Sequence, residues 1–370
     1  MSYSQEMRSN RAESPSFGKP GELALLARIR ARAARAPDPT LRLGIGDDCA
    51  LLRLRPGEEL AVTTDLSIAG RHFRLDWHTP EAIGHRTLAR GLSDLAAMGA
   101  RPVAAFLSLG LPAELVKNQK GRKSGTETGS ETWRETWMAR FLDGFLALAE
   151  AHQTPLAGGD LAESPLPVAD IVLTGAVRRG KALLRSGARP GDLLYVTGSL
   201  GGAAAGLALL ADAARRSKAA RQNRPPHPFQ SRIPANPATQ LAAQFFPQPR
   251  IAQGVWLARR SLATAAIDLS DGLSTDLAHL CDESGVAAEV NAAALPIHPA
   301  ATQAQALHGG EDYELLFTAS PSARLPRSIA GVPVVCIGRV VRKSGTKSKV
   351  TLITARGARP LAPQGWEHFS

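Results

Sequence analysis

The chain has 370 residues, 44% of them apolar and 5% aromatic, and a formal charge of +11. That length suits two domains of roughly 100–200 residues each. The three cysteines, Cys49, Cys281 and Cys336, are too scattered for a disulfide framework or a metal cage, and no apolar run reaches the ~20 residues that span a bilayer. Together they point to a reducing, cytoplasmic setting and to no membrane partner.

Residues 1–20 are polar and rich in Ser, Arg and Pro, and read as a disordered leader. Apolar spacing at Leu23, Leu26 and Ile29 predicts a helix over 22–35. Residues 41–54 read as two short strands interrupted by Gly46-Asp47-Asp48, and 58–65 as a strand ending on an acid. The strongest periodicity lies over 80–98, where Leu88, Leu92 and Leu95 share a helical face and Gly99 and Pro102 supply the stop. A strand over Val103–Leu111, a helix over 137–151, a loop at Gly158-Gly159-Asp160 and a strand over 168–177 complete a first domain, 21–180.

The second domain, 181–370, opens with a turn, a strand, the Gly-rich turn at 198–202 and a helix. A strand running into a helix over 264–280 follows, then strands at 286–290, Tyr313–Thr318 and Val332–Val340. Mixed strands and helices in both halves predict two α/β or α+β domains. Residues 117–132 and 214–240 are polar and aperiodic, and read as flexible insertions.

The basic excess is local. Residues 117–123, 215–232 and 339–349 carry 15 basic residues and no acidic ones, which leaves 29 basic against 33 acidic elsewhere. A nucleic-acid binder carries its basic stripe on a folded face with aromatics beside it. Here the excess falls in segments that read as loops, so no specific nucleic-acid partner is expected.

The chemistry lies in the placement of acids. Gly46-Asp47-Asp48, Thr63-Thr64-Asp65, Ser93-Asp94, Gly159-Asp160 and Asp268-Leu269-Ser270-Asp271 sit at strand ends, in Gly turns or on the main helix, flanked by apolar sequence. Any one of them fits a solvated turn or a helix cap. Five together, if they converge, repel one another unless divalent cations intervene, and hard oxygen donors favour Mg²⁺. Magnesium held by carboxylates and substrate phosphates is what phosphoryl transfer requires. Two Gly-rich stretches are decoys. Gly175 to Ala182 nearly fits GxxxxGK[ST] but places Ala182 where the magnesium-binding hydroxyl belongs, and 198–202 fails GxGxxG.

Taken in order, GELALLARI (21–29), LGIGDDCALL (43–52), TTDLSIAGRHF (63–73), LARGLSDLAAMGARP (88–102), LAGGD (156–160), LLRSGARPGDLLYVTG (183–198), AIDLSDGLSTDL (266–277), GGEDYELLF (309–317) and GWEHF (365–369) resemble the thiamine-monophosphate kinases. The resemblance implies the two-domain fold of the aminoimidazole-ribonucleotide synthetase superfamily, with an N-terminal α/β domain that forms a homodimer and a C-terminal α+β domain. It implies ATP and thiamine monophosphate as substrates, thiamine diphosphate as product, and several Mg²⁺ ions. Metal roles carry over onto Asp48, Thr63, Thr64, Asp65, Asp94, Asp160, Asp268 and Asp271. Nucleotide contacts fall on Gly159, Asp160, Arg185 and Ser270, and substrate contacts on His72, Glu311 and Trp366.

The acceptor is already a phosphate, so no dedicated base is expected. Leu161 stands where these enzymes usually carry Thr, which removes a hydroxyl beside Asp160. Two other readings remain: a sister kinase or phosphate-activating synthetase of the superfamily, and a nucleic-acid-associated protein acting through its insertions.

Overall fold

A computed structural model describes residues 22–33, 40–116, 136–219, 241–343 and 349–365. The leader, the whole of the proposed insertion 117–132, residues 220–240 of the second and Trp366 lie outside the described residues.

The N-terminal half contains α1 (Glu22–Ala33), β1 (Leu41–Leu43), β2 (Leu51–Leu52), β3 (Glu58–Ile68), α2 (Pro80–Ala97), β4 (Arg101–Leu111), the one-turn α3 (Ala113–Val116), α4 (Trp137–Ala151), β5 (Leu156–Glu163) and β6 (Val168–Arg178). Four strands form a sheet in the order β3-β6-β4-β5, antiparallel except for the parallel pair β4 and β5. Helices α2 and α4 cover one face. Thr79 caps α2 by accepting from the Ala82 N–H, with Pro80 at the first helical position. Ile83, Leu88, Leu92 and Leu95 are fully buried, each contributing roughly 1.5–3 kcal/mol. The two helices touch backbone to backbone, since a Cβ on Gly84 would lie 1.9 Å from the Phe141 carbonyl oxygen, and one on Gly144 1.9 Å from that of Glu81.

The C-terminal half contains β7 (Leu193–Thr197), α5 (Gly202–Ala219), α6 (Ala242–Phe245), α7 (Ile251–Arg260), β8 (Ala265–Asp268), α8 (Leu273–Ser284), β9 (Ala287–Asn291), α9 (Gln303–His308), β10 (Leu315–Ala319), β11 (Ser328–Ile329), β12 (Val332–Val341), β13 (Val350–Thr354) and β14 (Gly357–Pro360). Its main sheet runs β14-β13-β9-β12-β7-β10-β8, with β11 attached to β12. Strand alternation divides the core. Ile267 and Leu316 join the buried cluster that contains Leu273 and Leu277 of α8. Ala266 and Phe317 join Leu257 of α7 on the other face. Helix α7 in turn packs against α2, which therefore belongs to the cores of both halves.

Most expected elements are present, with informative differences. Gly158-Gly159-Asp160 is strand rather than loop, because β5 pairs with β4 through these residues. The insertion expected from 214 begins as helix, since α5 runs to Ala219. Arg339, where the strand expected over Val332–Val340 overlaps the basic run read as loop, lies in β12 and pairs with Glu289. Tyr313 precedes its strand, in a left-handed conformation (φ 51°). Gly175–Arg178 closes β6 and leads into a turn, with no helix after it, so the phosphate-loop near-match has no structural counterpart.

Candidate active site

The site is built on the polar side of α2. Arg86, Arg90 and Asp94 recur every four residues and so share one helical face. Four helical residues rise about 6 Å, close to the ~6.7 Å spanned by two strand residues. The antiparallel match with β3 follows: Arg90 grips Asp65 (Nε to Oδ2 2.9 Å, an amino nitrogen to Oδ1 2.7 Å), while the Thr63 hydroxyl donates to Asp94. Ser93, the neighbour of Asp94, turns toward the other half and donates to Asp268 Oδ2 at 2.7 Å. One turn of one helix thus joins the acid at the end of β8 to the acids of the N-terminal sheet.

These groups are close enough to shift one another's protonation. Burial, and then the charge of Asp268, pushes the Asp94 carboxyl up to about 7, against the opposing effect of the Thr63 hydroxyl. Burial also raises Asp268, with Ser93 and Arg185 acting against it and Asp271 adding to it. Asp276 is pushed up to about 8 by burial and by Asp268 and Asp271. It is occupied locally, accepting the Asp271 and Gly272 N–H groups at the start of α8.

Beside this cluster stands Arg86, almost fully buried, which donates to Glu311 Oε1 at 2.6 Å, to the His72 carbonyl at 3.3 Å and to the Gln244 carbonyl at 2.6 Å. Glu311 has φ 66° and donates its N–H to the Ser270 carbonyl. Burial alone would raise its pKa, but the Arg86 guanidinium prevails and holds it below the ordinary glutamate value. The neighbouring acids of the same loop are also committed. Asp312 accepts the Gly201 and Ala203 N–H groups, and Glu314 pairs with Arg250 and accepts from Thr197. Finally, the chain returns to this place at its described end: the Gly365 N–H donates to Thr275 Oγ1, and Gly365 packs against the Asp271 carbonyl.

Of the residues expected from sequence, Thr63, Asp65, Asp94, Asp268, Ser270, Asp271, His72 and Glu311 surround α2, and the Arg185 charge is felt by both Asp94 and Asp268. Thr64 and Asp160 occupy the opposite face of the sheet. Their cross-strand rows run through Val172 and Phe106, and through Ser108. Gly159 lies beside Asp160 with its backbone against the Leu107 carbonyl, and Asp48 is in an exposed turn. Trp366 lies outside the described residues. Sequence reading missed Arg86 and Arg90, and named Ser93 only as the neighbour of Asp94. The signal was the four-residue recurrence of charge on an otherwise apolar helix.

Among the described residues, no three His, Cys, Asp or Glu side chains enclose a metal by themselves. An all-oxygen set led by Asp94 and Asp268 nevertheless suits Mg²⁺, which binds through one or two carboxylates and completes its shell with water and phosphate oxygens.

Residues 46–177 match the model for AIR synthase related protein, N-terminal domain, and 189–350 that for the C-terminal domain. The chain is 37% identical over 366 residues to the thiamine-monophosphate kinase of Escherichia coli (strain K12), covering 95% of this chain and 98% of that one. It is similar to the crystal structure of thiamine-monophosphate kinase from Stenotrophomonas maltophilia K279a (TM-score 0.70, 37% identity, 90% of this chain and 96% of that one). It is also similar to AaThiL complexed with AMPPCP and TMP (TM-score 0.64, 27% identity, 98% of this chain and 100% of that one). With identity at this level over nearly its whole length, the chain belongs to the thiamine-monophosphate kinase family.

Proposed function

We infer that the chain transfers the γ-phosphoryl group of ATP to thiamine monophosphate, giving thiamine diphosphate and ADP. The observation that carries this is the 95% coverage at 37% identity with an enzyme named for that activity. The complex of AaThiL with AMPPCP and TMP supports it.

In this reading Asp94, Asp268 and Asp271, with Thr63, hold Mg²⁺, which neutralises charge on the transferring phosphoryl group. Arg185, with a forked donor suited to phosphate oxygens, faces the nucleotide together with Ser270. Gly159 and Asp160 also belong to the nucleotide side, and Asp48 and Thr64 to the metal-binding set. Glu311 accepts hydrogen bonds from the aminopyrimidine of the acceptor, fixed in orientation by Arg86. His72 shares that guanidinium through its carbonyl, and Trp366 follows directly on Gly365, which is docked beside Asp271. The acceptor oxygen is already anionic, so the chain's task is to align two phosphates and exclude water, and no side chain needs to remove a proton.

The protein acts as a homodimer in the cytoplasm. Support for the dimer comes from the outer edge of the N-terminal sheet, where Leu60, Val62 and Leu66 are 52%, 57% and 45% exposed in one row along β3. No described helix is long and apolar enough to cross a membrane, and Cys49, Cys281 and Cys336 are all free.

The test is a product assay with ATP and Mg²⁺, offering thiamine monophosphate beside unphosphorylated thiamine. Thiamine diphosphate is expected from the first and no product from the second. Turnover of thiamine with the monophosphate ignored overturns the reading.

A further inference from the structure

Asp65 differs from the other acids around α2. Asp94 and Asp268 face hydroxyls and each other, whereas Asp65 has a guanidinium across both of its oxygens, at 2.9 and 2.7 Å. The two-point geometry is the strong form of the arginine–carboxylate pair. Both partners are largely shielded, with side-chain exposures of 18% for Arg90 and 21% for Asp65. Little solvent is therefore present to screen a further positive charge. A Mg²⁺ ion on either Asp65 oxygen would lie within a few ångströms of the guanidinium and would have to shed water to reach it, which Mg²⁺ does reluctantly. The pair is also rigid at both ends, because Arg90 stands one turn from Asp94 on α2 and Asp65 is held in the β3 ladder with Ile171.

We propose that Arg90 takes the place of a divalent cation at Asp65, so that Asp65 is a carboxylate neutralised from within the chain and not a metal ligand. This rests on the reading that the acids around α2 hold cations, and it divides them. Asp94, Asp268 and Asp271 take the metal, while Asp65 fixes a permanent positive charge one helical turn away. Arg90 is charged at every physiological pH and cannot be titrated or diluted away. The Asp65 edge of the site is therefore charge-balanced whether or not metal is bound, and Asp65 serves as a positioning residue for Arg90.

The test counts bound Mn²⁺ by electron paramagnetic resonance, with a non-hydrolysable ATP analogue present, on the full chain and its variants. Asp65→Asn is expected to bind as many Mn²⁺ ions as the wild type, and Asp94→Asn fewer. Arg90→Met, which frees the Asp65 carboxylate, is expected to bind one more ion per chain, lost again in Arg90→Met combined with Asp65→Asn. A loss in Asp65→Asn as large as in Asp94→Asn overturns the proposal, and so does an Arg90→Met count equal to the wild type. If Arg90→Met does not fold, the Asp65→Asn comparison decides, since it leaves Arg90 in place. Thiamine diphosphate formation by the wild type tests the kinase reading separately, and neither result depends on the ion count at Asp65.

Discussion

Arg86, on the second turn of α2, donates to Glu311 Oε1 at 2.6 Å and so fastens the loop before β10 to the helix that carries Asp94. Two residues on the substrate side, Glu311 and His72, meet on that one guanidinium. Arg86→Met is expected to raise KM for thiamine monophosphate at least tenfold. The KM for ATP should change much less, because Arg86 contacts Glu311 and its loop and not the metal-binding acids. Removing one partner of a shielded pair also costs about 3 kcal/mol. Arg86→Lys, which keeps the charge, should recover part of both losses. Equal changes in both KM values, measured by steady-state kinetics, contradict this division.

The metal reading is tested at Asp94. Asp94→Asn should lower kcat by at least a hundredfold while the protein stays folded, since one carboxylate at a charge-neutralising centre is lost.

The same residue predicts a pH effect in the absence of metal. Its carboxyl is pushed from an ordinary 3.8 up to about 7 by burial and by Asp268. The folded state therefore binds more protons than the unfolded chain between these values, so stability should fall as pH rises from about 4 to 7. Below that window both states are protonated, and above it the penalty is constant. Denaturant unfolding in EDTA should show this slope for the wild type and a flatter one for Asp94→Asn. Mg²⁺ should restore wild-type stability at pH 8 and affect the variant less. Equal slopes for the two proteins count against the assignment.

Gly144→Ala tests the crossing of α2 and α4. The added methyl would lie 1.9 Å from the Glu81 carbonyl oxygen, which no side-chain rotation relieves. The helices must separate, and a loss of about 2 kcal/mol or more is expected in thermal or denaturant melts. A variant as stable as the wild type would mean that the helices are farther apart than described.

Arg250→Met should destabilise the C-terminal half by about 3 kcal/mol, because it leaves Glu314 buried without its cation. Adding Glu314→Gln should recover part of that loss, a non-additivity that a double-mutant cycle measures.

Much of this architecture can be read in the sequence because α2 follows the rules of an amphipathic helix. Its leucines recur at helical spacing, Thr79 caps it, and Gly99 ends it in a left-handed conformation (φ 65°). The acids were found for a similar reason: carboxylates flanked by apolar residues stand out. Arg86 and Arg90 did not, because a charged residue on a helix is ordinarily a solvated one, and only tertiary packing shows that these two point inward. Gly158-Gly159 suggested a turn, but the neighbour decides. Strand β4 comes so close that the Leu107 carbonyl leaves no room for a side chain at Gly159. β13 and β14 escaped notice because the basic residues before them read as loop, although Val350 and Leu352 are buried against β9. Alternation along β3 already parts Thr64 from Thr63 and Asp65, but periodicity could not show that Asp160 lies on the other side of the sheet from Asp65. That separation follows from register, which is long-range information.

Strand β3 carries its alternation inside out. Thr63, Asp65 and Ser67 turn toward the helices, while Leu60, Val62 and Leu66 turn outward. Sliding the strand by one residue against β6 would bury the leucines and expose the acid, an arrangement that simple oil-and-water sorting prefers. What opposes the slip is polar: the grip of Arg90 on Asp65 and the Thr63 hydroxyl on Asp94. The contacts that shape the site are therefore also the ones that tell this strand where to stop. A chain stripped of them is expected to lose its alignment at β3 before it loses its hydrophobic core.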